Sequence, residues 1–283
     1  MSSKLKNLIS LAFDSNLSQK DTSEALEIIM SGQAPESQIA AFLIALQKSG
    51  INSEHVLGAM KVMQKKMLEV KVPKGSIDTC GTGGDGKSSL NVSTAISFII
   101  AANDITVAKH GNKALTSKCG SADVLSSLGI NINMSTDLIE ECLKNVGICF
   151  MFAPNHHPAM KYVGPVRQEI GVRTIFNILG PLLNPGNVDN QIIGVFSKEV
   201  LNIYKDVFNK RDGKNAFIIY GHDGMDEIST EGENLIYSKL YGEKIFDPNE
   251  LKIKRPVLSE LIGDNPNYNS NRIIDIFTGK KDS

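Results

Sequence analysis

Apolar side chains recur every three to four positions through the first seventy residues, the period of amphipathic helices, and predict four of them near 4–13, 19–30, 36–48 and 53–67. Gly32, Pro35 and Gly50 punctuate this run; Pro35 before Glu36 suits a helix opening and Gly50 a stop. Val72-Pro73-Lys74-Gly75 ends the pattern. Beyond it, β-prone runs at 76–80, 105–108, 147–152, 190–196 and 215–220 alternate with helical patterns at 91–103, 120–128, 137–145 and 198–210. Such alternation predicts an α/β domain around a mostly parallel sheet. Between 158 and 185 the pattern turns helical and irregular again, so part of 158–188 is expected to leave the sheet domain and pack with the N-terminal helices. The expected organisation is a small helical domain, 1–72, and a larger α/β domain, 73–283. A cleft is expected where the loop 81–86 faces the helical domain.

Composition narrows the function classes. A chain of 283 residues with 41% hydrophobic and 22% charged residues has the makings of a full core. A formal charge of −1 argues against a broad nucleic-acid face, so any anion site must be local. Cys80, Cys119, Cys142 and Cys149 form no CxxC pair and have no histidine at zinc-finger spacing, and so read as reduced thiols of a cytoplasmic protein. The longest apolar runs, 40–46 and 96–102, are too short for a bilayer. Lys4 and Lys6 interrupt an amphipathic N-terminus without a cleavage site, so neither export nor membrane insertion is expected.

The densest chemistry lies at 78–94, where four glycines, Asp85 and a row of hydroxyls separate a β-prone run from a helical one. Strand, glycine loop and helix start together point backbone N–H groups and a helix dipole at an anion. GTGGDG matches neither the P-loop order nor GxGxxG, and a purely steric turn is the plain alternative. Lys109-His110-Gly111-Asn112 follows another predicted strand, and 115–123 adds a second hydroxyl-rich loop leading into a helix. Asp226-Glu227 follows the strand 217–220 and a glycine-containing turn; paired carboxylates there suit Mg²⁺, although paired acids also serve as plain surface solvation. Either Arg167 or Arg173 offers a guanidinium fork for a substrate carboxylate, a helix-surface salt bridge being the alternative. His156-His157 lacks a third ligand at useful spacing and reads as a helix entry.

In series, GTGGDG, NVST, KHGN, GSADVL, HHPAM, VRQEIGVRTIFNILGPLLNP and GMDE resemble the anthranilate phosphoribosyltransferase family, from the N-terminal helices to about residue 280. The resemblance implies a helical domain beside an α/β domain, commonly a homodimer through the helical domains. It also implies transfer of the phosphoribosyl group of phosphoribosyl pyrophosphate (PRPP) to anthranilate in tryptophan synthesis, with Mg²⁺ in about two sites. It implies PRPP contacts by Gly81, Gly84, Asp85, Ser89, Asn91, Val92, Ser93 and Thr94. These are completed by Lys109, His110, Gly111, Asn112, Lys113, Ala114, Leu115, Thr116, Ser117 and Ser121. Gly81, Asn112 and Arg167 would hold anthranilate, with His110 and Pro181 lining its path. Ser93 would meet one magnesium, and Asp226 and Glu227 the second. Lys109, His110 and Arg167 would act by positioning, without a strong acid or base.

Lys113 stands where the family often has Arg, Ser89-Leu90 where Thr-Phe is common, and Cys119 where a smaller residue is usual. The resemblance also implies an alanine-rich helical region beyond Gly279-Lys280-Lys281, where this sequence stops at Ser283. Its absence would expose apolar surface on the α/β domain and lower stability. An anthranilate synthase partner is left open. The rival readings are an inactive truncated relative, a non-catalytic relative that binds nucleic acid, and a pyrimidine-nucleoside phosphorylase-like enzyme; the last lacks KHGN with a downstream acid pair.

Overall fold

The computed structural model describes residues 3–114, 118–252 and 256–280. Four helices come first: α1 (Ser3–Phe13), α2 (Gln19–Met30), α3 (Glu36–Ser49) and α4 (Ser53–Lys66). Then follow β1 (Ile77–Gly81), α5 (Val92–Ala101), β2 (Val107–Gly111), α6 (Ser121–Ser127), α7 (Thr136–Asn145) and β3 (Ile148–Phe152). The chain continues through short helices α8 (Ala153–His156), α9 (Gly164–Ile170) and α10 (Phe176–Leu179). It ends with β4 (Asn190–Gly194), α11 (Lys198–Asn209), β5 (Asn215–Tyr220), β6 (Asn234–Ser238), β7 (Gly242–Phe246) and α12 (Pro266–Phe277). These form two compact units: one runs to Leu68 and resumes at Pro154–Pro185, and the other holds Glu69–Ala153 and the chain from Gly186 onward.

In the helical unit, the amphipathic period becomes a core of Leu5, Leu26, Ile29, Phe42, Leu46 and Met63, all but closed to solvent. Side chains cap the helices that form it. Ser18 accepts from Asp21 N–H while Asp21 accepts from Ser18 N–H, the reciprocal box that satisfies two orphan amides at the start of α2. Asn52 and His55 do the same for α4. Helices α2 and α4 cross closely because Gly58 has no side chain: a Cβ there would lie 2.4 Å from Gln19 O. The Gly58 carbonyl accepts from Ser23 Oγ at 2.9 Å. His156 closes α8 and meets Leu68 O at 3.0 Å through Nδ1. Burial lowers the pKa of His156 and holds that of His157 down at about 4, and both side chains are packed inside this unit.

The other unit is built on one seven-stranded sheet, order β3-β2-β1-β4-β5-β6-β7. The first five strands in that order are parallel, and β6 and β7 add an antiparallel edge. Alternation along β3 sends Cys149 and Met151 to one face, with Ile139 and Leu143 of α7, and Phe150 to the other, with Leu125 of α6 and Ile273 of α12. Val70 and Val188 belong to the first of these clusters. This explains why the units divide at Leu68 and Pro185 rather than after 72 and 188. No helix among the described residues is long and apolar enough to cross a membrane.

Candidate active site

Strand order reverses between β1 and β4: the chain builds outward from β1 through β2 to β3, then returns to pair β4 on β1's other side. In an open parallel sheet, the carboxyl ends of the two strands at such a reversal diverge into a crevice. Here those ends are Gly81 and Gly194, paired in register. Two side-by-side glycines leave bare backbone, and the loop after β5 lies directly on it. A Cβ on Gly194 would sit 1.5 Å from Asp226 O, and one on Gly81 2.6 Å from Asp226 Oδ2. Asp226 and Glu227 are thereby set against the glycine loop and the start of α5.

From there, Asp226 Oδ2 accepts from Gly83 N–H at 2.7 Å, and Glu227 Oε1 from Ser93 N–H at 3.3 Å. Gly83 and Gly84, with φ of 62° and 73°, turn the loop through the left-handed region. Thr82 anchors its start, donating N–H to Gly194 O and accepting from Phe196 N–H. Burial, then the Asp85 charge, pushes Asp226 up to about 6; burial, then Asp226, pushes Glu227 up to about 8. Asp85 Oδ2 and Thr94 Oγ1 are buried without a hydrogen-bond partner. The Asp85 charge raises both Asp226 and Glu227, and this close set of acids, one with an orphaned oxygen, fits a divalent cation. Among the described residues no group of three or more His, Cys, Asp or Glu is placed to hold a metal alone. That suits Mg²⁺, which takes one or two carboxylates and completes its shell with phosphate oxygens and water.

Lys109 and His110 do not lie in a loop after the second strand. The strand runs through Gly111, and both side chains are buried. Lys109 Nζ reaches inward, donating to Thr79 O and, at 3.4 Å, to Ser93 O. Burial lowers its pKa, opposed by the charges of Asp78 and Glu227. His110 N–H donates to Asp78 Oδ1 at 3.1 Å. Lys109 thus braces β1 against the first turn of α5, joined there by Thr79 Oγ1 to Ser93 O and to Ser97 Oγ, both 2.8 Å.

Asn112 and Lys113 are exposed at the mouth of β2. Asn112 O accepts from Ser121 Oγ and from Ala122 N–H, both 3.2 Å. Asp123 ties the neighbouring loop at both sides, accepting from Ala114 N–H and Gly120 N–H at 2.9 Å each. Leu115, Thr116 and Ser117 lie outside the described residues.

Two models of a glycosyl transferase family match the chain, the helical bundle domain over residues 5–67 and the a/b domain over 74–283. An anthranilate phosphoribosyltransferase of Pelagibacter ubique is 44% identical over 268 residues, covering 94% of this chain and 81% of that protein. One from Mesorhizobium japonicum is 43% identical over 282 residues, covering 99% and 84%. The chain belongs to the anthranilate phosphoribosyltransferase family. Among solved structures, the Thermus thermophilus anthranilate phosphoribosyltransferase superposes with a TM-score of 0.90 at 34% identity, over 97% of this chain and 83% of that one. The Saccharomyces cerevisiae enzyme in complex with PRPP and Mg gives 0.90 at 28% identity, over 98% and 81%.

Of the residues matched to the anthranilate phosphoribosyltransferase motifs, the α/β unit gathers Gly81, Gly84, Asp85, Ser89, Asn91, Val92, Ser93 and Thr94 on one loop and helix start. Arg167 and Pro181 belong to the helical unit. Arg167 lies on α9 with its guanidinium 5.3 Å from the Phe176 ring centre. Burial alone lowers its pKa, and no carboxylate pairs with it among the described residues. Pro181 is buried in the 3₁₀ turn Gly180–Leu183. Sequence reasoning gave no role to Asp78, Thr79 or Ser97. An acid at the fully buried position 78 of an otherwise β-prone run was the available signal.

Proposed function

We propose that this chain transfers the phosphoribosyl group of PRPP to the amine of anthranilate, with release of pyrophosphate, as a Mg²⁺-dependent step of tryptophan synthesis. The observation that carries the reading is the acid pair laid on two paired glycines beside the glycine loop and the α5 N-terminus. Anthranilate brings its own nucleophilic nitrogen, so no activated serine or cysteine is needed. The difficult event is departure of pyrophosphate from ribose C1 as positive charge develops on the sugar.

Backbone N–H groups of the loop and the α5 dipole favour the negative charge that grows on the leaving group. Asp226 and Glu227, with the Ser93 hydroxyl, would hold Mg²⁺, about two ions in all. Bound there, the metal would neutralise pyrophosphate charge. Asn112 and Arg167 would orient anthranilate, a guanidinium fork matching its carboxylate, and His110 and Pro181 would shape its path. Lys109, fastened to Thr79 and Ser93 carbonyls, keeps β1 and α5 aligned while the charge builds. A homodimer formed through the helical unit, on whose α1 and α3 Phe13 and Ile44 are exposed, and a cytoplasmic location belong to the same reading.

Loss of anthranilate fluorescence on adding PRPP and Mg²⁺ tests the reaction. Loss that EDTA abolishes is the expected result; no loss from folded protein overturns the proposal. Arg167→Ala is expected to raise the anthranilate KM about tenfold or more, the worth of a charge-assisted hydrogen bond, and to leave the PRPP KM within about twofold. A change confined to PRPP would remove Arg167 from the anthranilate site.

A further inference from the structure

After the sheet, the chain turns back to the glycine loop. Leu90 N–H donates to Leu261 O at 2.8 Å and Gly263 N–H to Ser88 O at 2.7 Å, and Ser89 pairs antiparallel with Ile262. Helix α12 then places Asn269, 1% exposed, beneath the loop. Its Nδ2 donates to Asn91 Oδ1 at 2.9 Å, while its Oδ1 accepts from Asp264 N–H at 2.8 Å. Asn91 uses its own Nδ2 on Cys119 O at 3.1 Å.

Asn91 is the N-cap of α5, and a cap asparagine ordinarily turns its oxygen onto the first amides of its own helix. No such side-chain bond forms here. Asn269 and Cys119 together hold the Asn91 amide away from the helix end. Ser93 N–H, an amide that such a cap would take, goes instead to Glu227, while Thr94 N–H is held by the Asn91 main-chain carbonyl.

We propose that Asn269 is a positioning residue for the PRPP site: by holding the Asn91 side chain it fixes the α5 N-terminus and the 88–90 rim in the geometry that receives the phosphates. Its kinetic consequence rests on the phosphoribosyl-transfer reading; the clamp itself does not. A purely structural role for α12 is separable, because that helix is also fastened to α6 by Ser127 Oγ, at 2.9 Å from Asn267 Oδ1 and 3.0 Å from Ser270 Oγ. Those bonds do not reach Asn91.

The test uses the full chain with Asn269→Ala, Asn91→Ala, the double variant and Ser127→Ala, read by steady-state kinetics and by hydrogen exchange across 86–94 without ligands. Asn269→Ala is expected to raise the PRPP KM about tenfold, the cost of one lost buried hydrogen bond with its partner orphaned, with the anthranilate KM within about twofold. It should also speed exchange at Leu90. In the Asn91→Ala background the same change should add less than about twofold. Ser127→Ala should lower the melting temperature without splitting the two KM values.

Unchanged exchange and PRPP KM in Asn269→Ala, or an equal factor with and without Asn91, overturns the proposal. So does an Asn91→Ala variant with a normal PRPP KM. If the wild-type chain performs no transfer, the functional reading fails by itself, and exchange across 86–94 alone decides the clamp. Should Asn269→Ala fail to fold, Asn269→Ser carries the same measurements.

Discussion

Replacing Asp226 by Asn together with Glu227 by Gln is expected to cut turnover about a hundredfold or more and raise the Mg²⁺ needed for half-maximal rate, while making the metal-free protein more heat-stable in alkaline solution. Loss of activity with gain of stability follows from one cause. Burial, then the Asp85 charge, raises Asp226 from 3.8 to about 6, and burial, then the Asp226 charge, raises Glu227 from 4.5 to about 8. The folded chain therefore holds these protons where the unfolded chain has released them. Their contribution to stability is fully present below the ordinary carboxylate values and is lost as pH rises through about 6 and then about 8.

Asn and Gln keep a carbonyl oxygen for Gly83 N–H and Ser93 N–H but carry no charge to desolvate. Melting in EDTA should show the variant more stable than wild type by several degrees at about pH 8.5, with the gap narrowed at about pH 5 and closed below about pH 3.5. Mg²⁺ should close it from the other side by stabilising wild type alone, and should release protons from wild type near neutrality. Parallel stability curves for the two proteins, with unchanged magnesium titrations, would sink the assignment of this pair to the metal.

Much of the fold was legible because helical period and punctuation agreed. Helices α1–α4 fall close to the predicted spans, and the alternation after Gly75 becomes the parallel strands β1–β5. The hairpin of β6 and β7 escaped notice because an edge strand such as Gly242–Phe246 buries almost nothing, so its sequence carries little alternation. Helix α12 is rich in Asn and carries only a narrow apolar stripe; its signals were the cap Asn265, which accepts from Tyr268 N–H, and Pro266 in the first turn. Lys109 misled for a different reason. A lysine beside a glycine reads as loop, yet this one is buried because carbonyls of β1 and α5, remote in sequence, accept from its ammonium. Of the site, the loop and the acid pair were visible as local motifs. Their meeting depends on which strands pair, and Asn269 depends on a helix that returns from the far end of the chain.

Gly194 shows what pairing alone reveals, and Gly194→Ala is the most damaging small substitution expected here. As one glycine after a run of β-branched residues it is unremarkable in sequence. In register with Gly81, it supports the backbone of Asp226, and the added methyl would lie 1.5 Å from Asp226 O and 2.5 Å from its carbonyl carbon. No rotamer relieves a clash with main chain, so the loop must lift. Lifting it withdraws Asp226 from Gly83 N–H and Glu227 from Ser93 N–H together. A displacement of about 1 Å at such a site costs on the order of a hundredfold in rate, and overpacking of this kind about 1–3 kcal/mol of stability. Ile193→Ala, at the fully buried neighbour, separates the two effects: it should lose about 2–5 kcal/mol through its cavity yet keep the wild-type magnesium titration while folded. Gly194→Ala should lose that titration even at temperatures where its circular dichroism is native. If it turns over normally with an unaltered magnesium response, the Asp226 loop does not rest on this strand end, and the acid pair must reach the phosphates by another route.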